Sequence, residues 1–256
     1  MLSAFFGLDN GLPFGAHLLC LGAAGQDGMP VVLSHNVDEA TLRAEDFRLL
    51  TASGAETTPD CVTLRPSIDP GERRTVLLIG EFGDARRDPP ASVEIVGNLL
   101  SDGATGGPVS FRGTKVEVIP LANGPTLVLA EVIPEKQWGE SRQGAACPEG
   151  TRQVLRATWT GGVRQPGGDP AGDDERALYR VTVERADGTQ EEIAPAALTE
   201  VDDRDNNHHL CLDTEAPAIA VSFPAGHLVD PNQDLNPATQ IRIRHEPPAA
   251  QAGEPK

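Results

Sequence analysis

The chain has 256 residues, 39% of them apolar and 23% charged, with 38 acidic against 21 basic side chains and a formal net charge of −17. That balance excludes a basic face for nucleic-acid phosphates, and the apolar fraction excludes wholesale disorder while leaving room for two ordinary domains or one large β domain. Its 27 glycines and 22 prolines exclude long helices and suit short strands joined by turns, so the fold class read here is all-β.

The first stretch, "MLSAFFGLDNGLPFGAHLLCLGAAG", is apolar but has no basic start and is interrupted by Asp9, Asn10 and Pro13. It is expected to be an N-terminal extension rather than an intact signal peptide, as in an exported chain carrying a start Met. No window of 18 apolar residues occurs, so no membrane-spanning helix and no membrane insertion are expected.

Strand signals then recur at about 10 to 15 residue intervals through residues 31–100. "DFRLLTASG" places Phe47 and Leu49 on one face, "CVTLRP" alternates with Val62 and Leu64 inward, and "RTVLLIGEF" is a continuous apolar run suited to a central strand. "ASVEIVGNL" alternates again through Val93 and Ile95. In "VDEATLRAEDF", Asp38 or Thr41 is placed to cap a single helical turn, with Leu42 and Phe47 plugging the core.

Val37-Asp38, Thr41-Leu42, Phe47, Gly54, Leu64-Arg65-Pro66 and the run from Thr75 form a pattern over about residues 28–105. It resembles the bacterial Ig-like domains of surface-layer and secreted proteins. The resemblance implies a β-sandwich and carries no catalytic residues.

The second half opens with "FRGTKVEVIPL" and "PTLVLAEVI", both alternating, and the intervening "ANG" predicts a hairpin between them. "EKQWGESRQGAACPEG" reads as a loop, and "RQVLRATWTGGV" faces Leu155, Ala157 and Trp159 to one side. "VRQPGGDPAGDDER" is expected to be mobile. "ALYRVTVERADGTQEEI" turns Tyr179, Val181 and Val183 inward before an Asp-Gly turn, and "APAIAVSF" and "QIRIRHE" complete the strands. The expected organisation is two tandem antiparallel Ig-like or fibronectin-like sandwiches, over 1–105 and 106–247, with a disordered tail at 248–256.

Cys20, Cys61, Cys147 and Cys211 form no CxxC and no zinc spacing. Two disulfides, Cys20–Cys61 and Cys147–Cys211, give one bridge per half and imply an oxidising compartment; buried free thiols are the alternative.

Two polar stretches are candidate sites. "HLVDPNQDLNPATQ" spaces Asp230, Asn232, Asp234 and Asn236 at alternate positions, as a Ca²⁺ loop or as a turn whose side chains bond their own backbone. It lacks the glycine and terminal glutamate of an EF-hand. "EVDDRDNNHHLCLD" offers Asp202, Asp203 and Asp205, and partly resembles the Ca²⁺-binding linkers of cadherins; its alternative is a solvated acidic loop. If this segment is a strand, His208 and His209 point to opposite faces and do not share one metal.

GxSxG, HExxH, P-loop and GxGxxG motifs are all absent. The catalytic candidates are therefore His208, His209 and Asp205, and Ser34-His35 and His208/His209 with Asp205 or Asp213 are the residues from which an acid–base pair across the domains is expected. His17, His227 and His245 read as structural. Trp159 reads as core, and Trp138 as a carbohydrate contact or an anchor between the halves. The leading expectation is a secreted or periplasmic binding protein without chemistry of its own, taking a protein or carbohydrate ligand and stabilised by Ca²⁺. The alternatives are an exported metal-assisted hydrolase or lyase with its site near Asp205, His208 and His209, and a structural envelope module.

Overall fold

A computed structural model describes residues 1–104, 107–138, 146–202 and 204–245. Asp203 and the tail expected at 248–256 lie outside the described residues. The first half contributes β1 (Ser3–Phe5), β2 (Asp27–Val32), β3 (Phe47–Thr51), β4 (Glu56–Thr57), β5 (Cys61–Thr63), β6 (Thr75–Gly80), β7 (Pro90–Ile95) and β8 (Lys115–Ile119). The second contributes β9 (Leu127–Val132), β10 (Gln153–Trp159), β11 (Arg180–Glu184), β12 (Gln190–Ile193), β13 (Ala197–Thr199), β14 (Asn207–Leu212), β15 (Ala218–Phe223) and β16 (Thr239–Arg244). The all-β reading therefore holds; the α-helix among the described residues is α1 (Asp173–Leu178).

Each half forms one eight-stranded sheet, and the two sheets repeat the same strand order. The first runs β4-β3-β7-β8-β1-β2-β6-β5 and the second β12-β11-β15-β16-β9-β10-β14-β13, every strand replaced by the one eight places later. The expectation of purely antiparallel sheets is corrected, since β1 runs parallel to β8 and β9 parallel to β16. In both halves the first and last strands thus close the sheet at its middle.

Both sheets curl. Ala4, Met29, Val31, Val76 and Leu78 on one flank share a core with Phe47, Leu49, Val93 and Ile95 from the other flank. A flat sheet cannot bring strands from its two wings into one cluster. Each such side chain contributes roughly 1.5–3 kcal/mol on burial. The second half does the same with Leu155, Ala157, Trp159, Leu210 and Leu212 against Val181, Val183, Val221 and Phe223.

Local patterns account for most elements. Along β3, Phe47, Leu49 and Thr51 are buried while Arg48 and Leu50 are half-buried, the period-2 signature of one covered face. Asp38 caps the 3₁₀ turn Glu39–Thr41, its carboxylate accepting from the Ala40 N–H at 3.0 Å.

Four expectations are corrected. The N-terminal stretch is not an extension, because Ser3–Phe5 supplies the strand between β8 and β2. The strand 115–119, expected to open the second unit, pairs with β7 and β1, so the sheets meet across 120–126 rather than at 105/106. The hairpin across "ANG" does not form, since β9 pairs with β10 and β16. Residues 163–176 are a structured connection, not a slack linker: the Glu175 carboxylate accepts from Gly172 N–H at 2.8 Å and from Gln165 Nε2 at 2.9 Å. Three acidic residues in the first turn of α1 also favour the positive end of the helix.

Both disulfides form with the expected pairing, at Cα separations of 6.3 and 5.8 Å. One ties the β1–β2 connection to β5, and the other ties the β9–β10 connection to β14. Closing loops of 41 and 64 residues, each contributes about 4 kcal/mol in the chain-entropy model. Beside Cys20 the β1–β2 connection exposes Phe14, Leu18 and Leu21. Among the described residues no helix is long and apolar enough to cross a membrane.

Candidate functional site

Every residue of β10 and β14 is buried, which a sheet with one wet face does not produce. One face of each strand fills the second core. The other meets the first half, and the polar residues there form the seam. On β10 the alternation that turns Leu155, Ala157 and Trp159 into the core turns Arg156 and Thr158 toward the seam.

Arg156 is the hub, with 2% exposure. Its Nη1 donates to the Gly71 carbonyl at 2.9 Å and to Glu131 Oε1 at 3.2 Å, and its Nη2 donates to the Pro70 carbonyl at 3.0 Å. Its Nε donates to His209 Nε2 at 3.2 Å and lies 3.4 Å from Glu72 Oε1. Arg74 pairs with Glu131 at 2.8 Å. Buried charges are tolerable only when paired and hydrogen-bonded, and here each guanidinium faces a carboxylate across the seam.

Two backbone segments that meet beside this network are topologically equivalent. Residues 64–74 join β5 to β6, and residues 200–206 join β13 to β14. They touch directly: Ser67 Oγ donates to Asn206 Oδ1 at 2.9 Å, and Asn206 Nδ2 donates to the Trp159 carbonyl at 2.6 Å. Two glycines let the halves approach. Gly71 sits at φ +85°, and a Cβ there would lie 2.6 Å from Arg156 Nη1. At Gly161, in the "TGG" pair, a Cβ would lie 2.9 Å from Phe5 Cδ1.

The electrostatics follow from burial and pairing. Burial pushes the Glu72 carboxyl up, but its contacts with His209 and Arg156 prevail and hold it below the usual carboxylate range. Burial, aided by Arg156, pushes His209 down. His209 Nε2 lies between the guanidinium and the carboxylate, 3.2 Å from Arg156 Nε and 3.3 Å from Glu72 Oε1. His208 faces the other way. Its Nδ1 accepts from the Tyr179 hydroxyl at 2.8 Å, and that hydroxyl accepts from Trp159 Nε1–H at 3.0 Å. Burial pushes His208 down to about 3 and raises the Tyr179 phenol.

The sequence candidates separate. Asp205 is buried at the seam, where its two oxygens accept from the Asn207 backbone N–H at 2.6 Å and from Asn207 Nδ2 at 2.8 Å, fixing the start of β14. Asp202 is exposed, and Asp203 lies outside the described residues. In the 227–236 loop, Asn236 Oδ1 accepts from His227 and Leu228 N–H, while its amide donates to the Pro224 and Pro237 carbonyls. Asn232 donates to Asp234 at 2.7 Å, and Asp230 Oδ1 accepts from Asp234 N–H at 2.9 Å. Asp230 Oδ2 is buried without a hydrogen-bond partner, and burial pushes that carboxyl up to about 6. Among the described residues no group of three or more His, Cys, Asp or Glu side chains is placed to hold a metal. Trp159 is core, and Trp138 is half-buried with its Nε1–H on the Ile133 carbonyl at 3.1 Å.

Above the network lies a cleft of about 430 Å³ lined from both halves, by Ser34, His35 and Arg74 on one side and Lys136, Arg156 and Arg244 on the other. Glu72, Asp205 and His209 do not line it. The cleft is lined by Ser34 and His35, whose Oγ and Nδ1 lie 3.0 Å apart, while Glu72 and His209 are sealed beneath Arg156. A broader depression of about 690 Å³, between Glu184–Gly188 and Thr214–Pro217, has no such network below it.

Sequence reading missed Glu72, Arg74, Glu131 and Arg156. The usable signal was a charge inside an apolar strand: arginine in "QVLRATW" and glutamate in "LVLAEVI". Neither a scan against protein-family models nor a search of curated proteins finds a match to this chain.

Arg156→Ala leaves two buried carboxylates short of a partner and is expected to cost about 3–5 kcal/mol, read by urea denaturation. Arg156→Lys does not restore it, because a single ammonium cannot span the two carbonyls, the carboxylates and the imidazole.

Acidification provides a second check. His208 binds its proton less readily folded than unfolded, so its stabilising effect is lost as pH falls from about 6.5 to about 3. The slope from this group is at most about 1.4 kcal/mol per pH unit. Asp230 acts in the opposite sense between about 6 and 3.8, its folded state being the better proton binder there. His208→Gln should therefore flatten the stability–pH profile below pH 6.5; an unchanged profile counts against the buried neutral imidazole.

Proposed function

We propose that the chain is a secreted or periplasmic binding protein of two tandem Ig-like β-sandwich units, holding its ligand at the seam without chemistry of its own. The observation that carries this reading is the cleft of about 430 Å³, lined from both halves above a floor of paired charges. A floor fixed by ion pairs and backbone carbonyls is preorganised, and a preformed concavity binds with less ordering cost than a mobile one. Two disulfides support export, since reduced cytosol does not retain them. The residue pattern over 28–105 supports Ig-like units. The burial of Asp205, His208 and His209 away from the cleft counts against the metal-assisted hydrolase or lyase site read at those residues.

The test is a ligand screen by thermal shift over sugars, peptides and small organic acids, with hits mapped by hydrogen exchange. The expected protection falls on residues 34–36, 131–137 and 244–245. Protection confined to other surfaces, turnover of a hit, or self-association without ligand would each count against the reading.

Ca²⁺ is the ion proposed for the 227–236 loop. A cation beside Asp230 would answer both the unpartnered oxygen and the raised carboxyl pKa. A few millimolar CaCl₂ at pH 7 is expected to raise the melting temperature of the wild type and not of Asp230→Asn, in line with the weak sites of extracellular modules. Equal shifts in the two proteins would remove Ca²⁺ from the account.

A further inference from the structure

Four basic residues line the seam cleft, Arg74, Lys136, Arg156 and Arg244, against the two acids Asp102 and Glu131, a local balance of +2. The chain as a whole carries −17. This concavity therefore has the sign opposite to the molecule around it.

The floor and the rim play different parts. On the floor, Arg74 and Arg156 are both spent on Glu131, at 2.8 and 3.2 Å, and Arg156 also on Glu72. At the rim, neither Arg244 nor Lys136 has a carboxylate partner among the described residues. Arg244 is nonetheless held in place: its Nη1 donates to the Ser34 carbonyl at 2.7 Å, so part of the planar fork is fixed while other N–H groups remain for a ligand. His35 and His245 flank these cations, and Asp102 is the acid that opposes them. His35 reports the local field. Burial first, then Arg244 and Arg74, press its imidazole below the ordinary value, against the pull of Asp102 and Glu131.

We infer that the seam cleft selects a small organic oxyanion, its carboxylate or phosphate group seated between Arg244 and Lys136. The inference rests on the seam-binding reading and narrows it to a ligand class. A guanidinium meets such a group through two parallel N–H donors, and an ammonium adds a point charge. The volume suits a small molecule rather than a polymer surface.

The test uses the full oxidised chain and follows the imidazole signals of His35 and His245 by NMR. Succinate, inorganic phosphate and uncharged succinamide are titrated separately. Saturable shifts with succinate, with phosphate or with both, and none with succinamide, are the expected result; which anion acts distinguishes a carboxylate from a phosphate ligand. The bound anion should also raise the His35 pKa by offsetting Arg244 and Arg74. The Arg244→Ala/Lys136→Ala double variant should lose roughly tenfold or more in affinity. Both side chains are exposed, so an unchanged urea profile is expected to accompany that loss. Equal binding by wild type and double variant would overturn the inference, as would silence toward both anions. If a neutral sugar or succinamide protects the cleft instead, the anion class fails while the seam-binding reading survives. Silence of the cleft toward every class screened would bring down both.

Discussion

One guanidinium joins the two halves. Arg156 projects from the middle of an otherwise apolar strand, and every bond that makes its burial tolerable reaches off that strand: Glu131 on β9, His209 on β14, and Pro70, Gly71 and Glu72 from the first half. Taken out of water without them, the charge would cost several kcal/mol. The halves cannot slide past one another without orphaning it. Gly71 is part of the same constraint, because only a residue without a side chain leaves room for the guanidinium at that carbonyl.

That constraint sits on a repeated architecture. The second sheet reproduces the strand order of the first, including the parallel closure of its first and last strands. The interiors are nonetheless chemically distinct. The first core is aliphatic and phenylalanine-rich, whereas the second holds the Trp159–Tyr179–His208 hydrogen-bond chain. One topology tolerates both because strand order depends on which positions face inward, while the side chains there need only fill the volume and satisfy their polar atoms. The equivalent connections, 64–74 and 200–206, became the two sides of the seam.

The seam also organises charge. Where the halves meet, Arg74 and Arg156 on the floor are each neutralised by a carboxylate from the opposite side, Glu131 and Glu72 respectively. What remains unpaired is at the rim. A cleft of this kind is built as a by-product of joining the halves, and its sign is set by which charges the junction leaves over. His209 and Glu72, the pair that resembles acid–base machinery, belong to the junction rather than to the rim.

Period-2 alternation, glycine and proline density and cysteine spacing were enough to read an all-β chain, most of its strands, the Asp38-capped turn and both disulfides. Each of those is decided by neighbours in sequence or by a pairing with few alternatives. Only the tertiary structure decided that Ser3–Phe5 is a central strand, that 115–119 closes the first sheet, and that Arg156, Glu72, Glu131 and Arg74 converge. Those outcomes depend on contacts far apart in the chain, such as Ala4 with Val118 and Arg156 with Gly71, the latter 85 positions apart, where local pattern carries no information. The physical reason is that alternation says which face of a strand is buried and nothing about what lies against it. A charged side chain in an apolar run announces that a partner exists, and folding alone brings that partner into place.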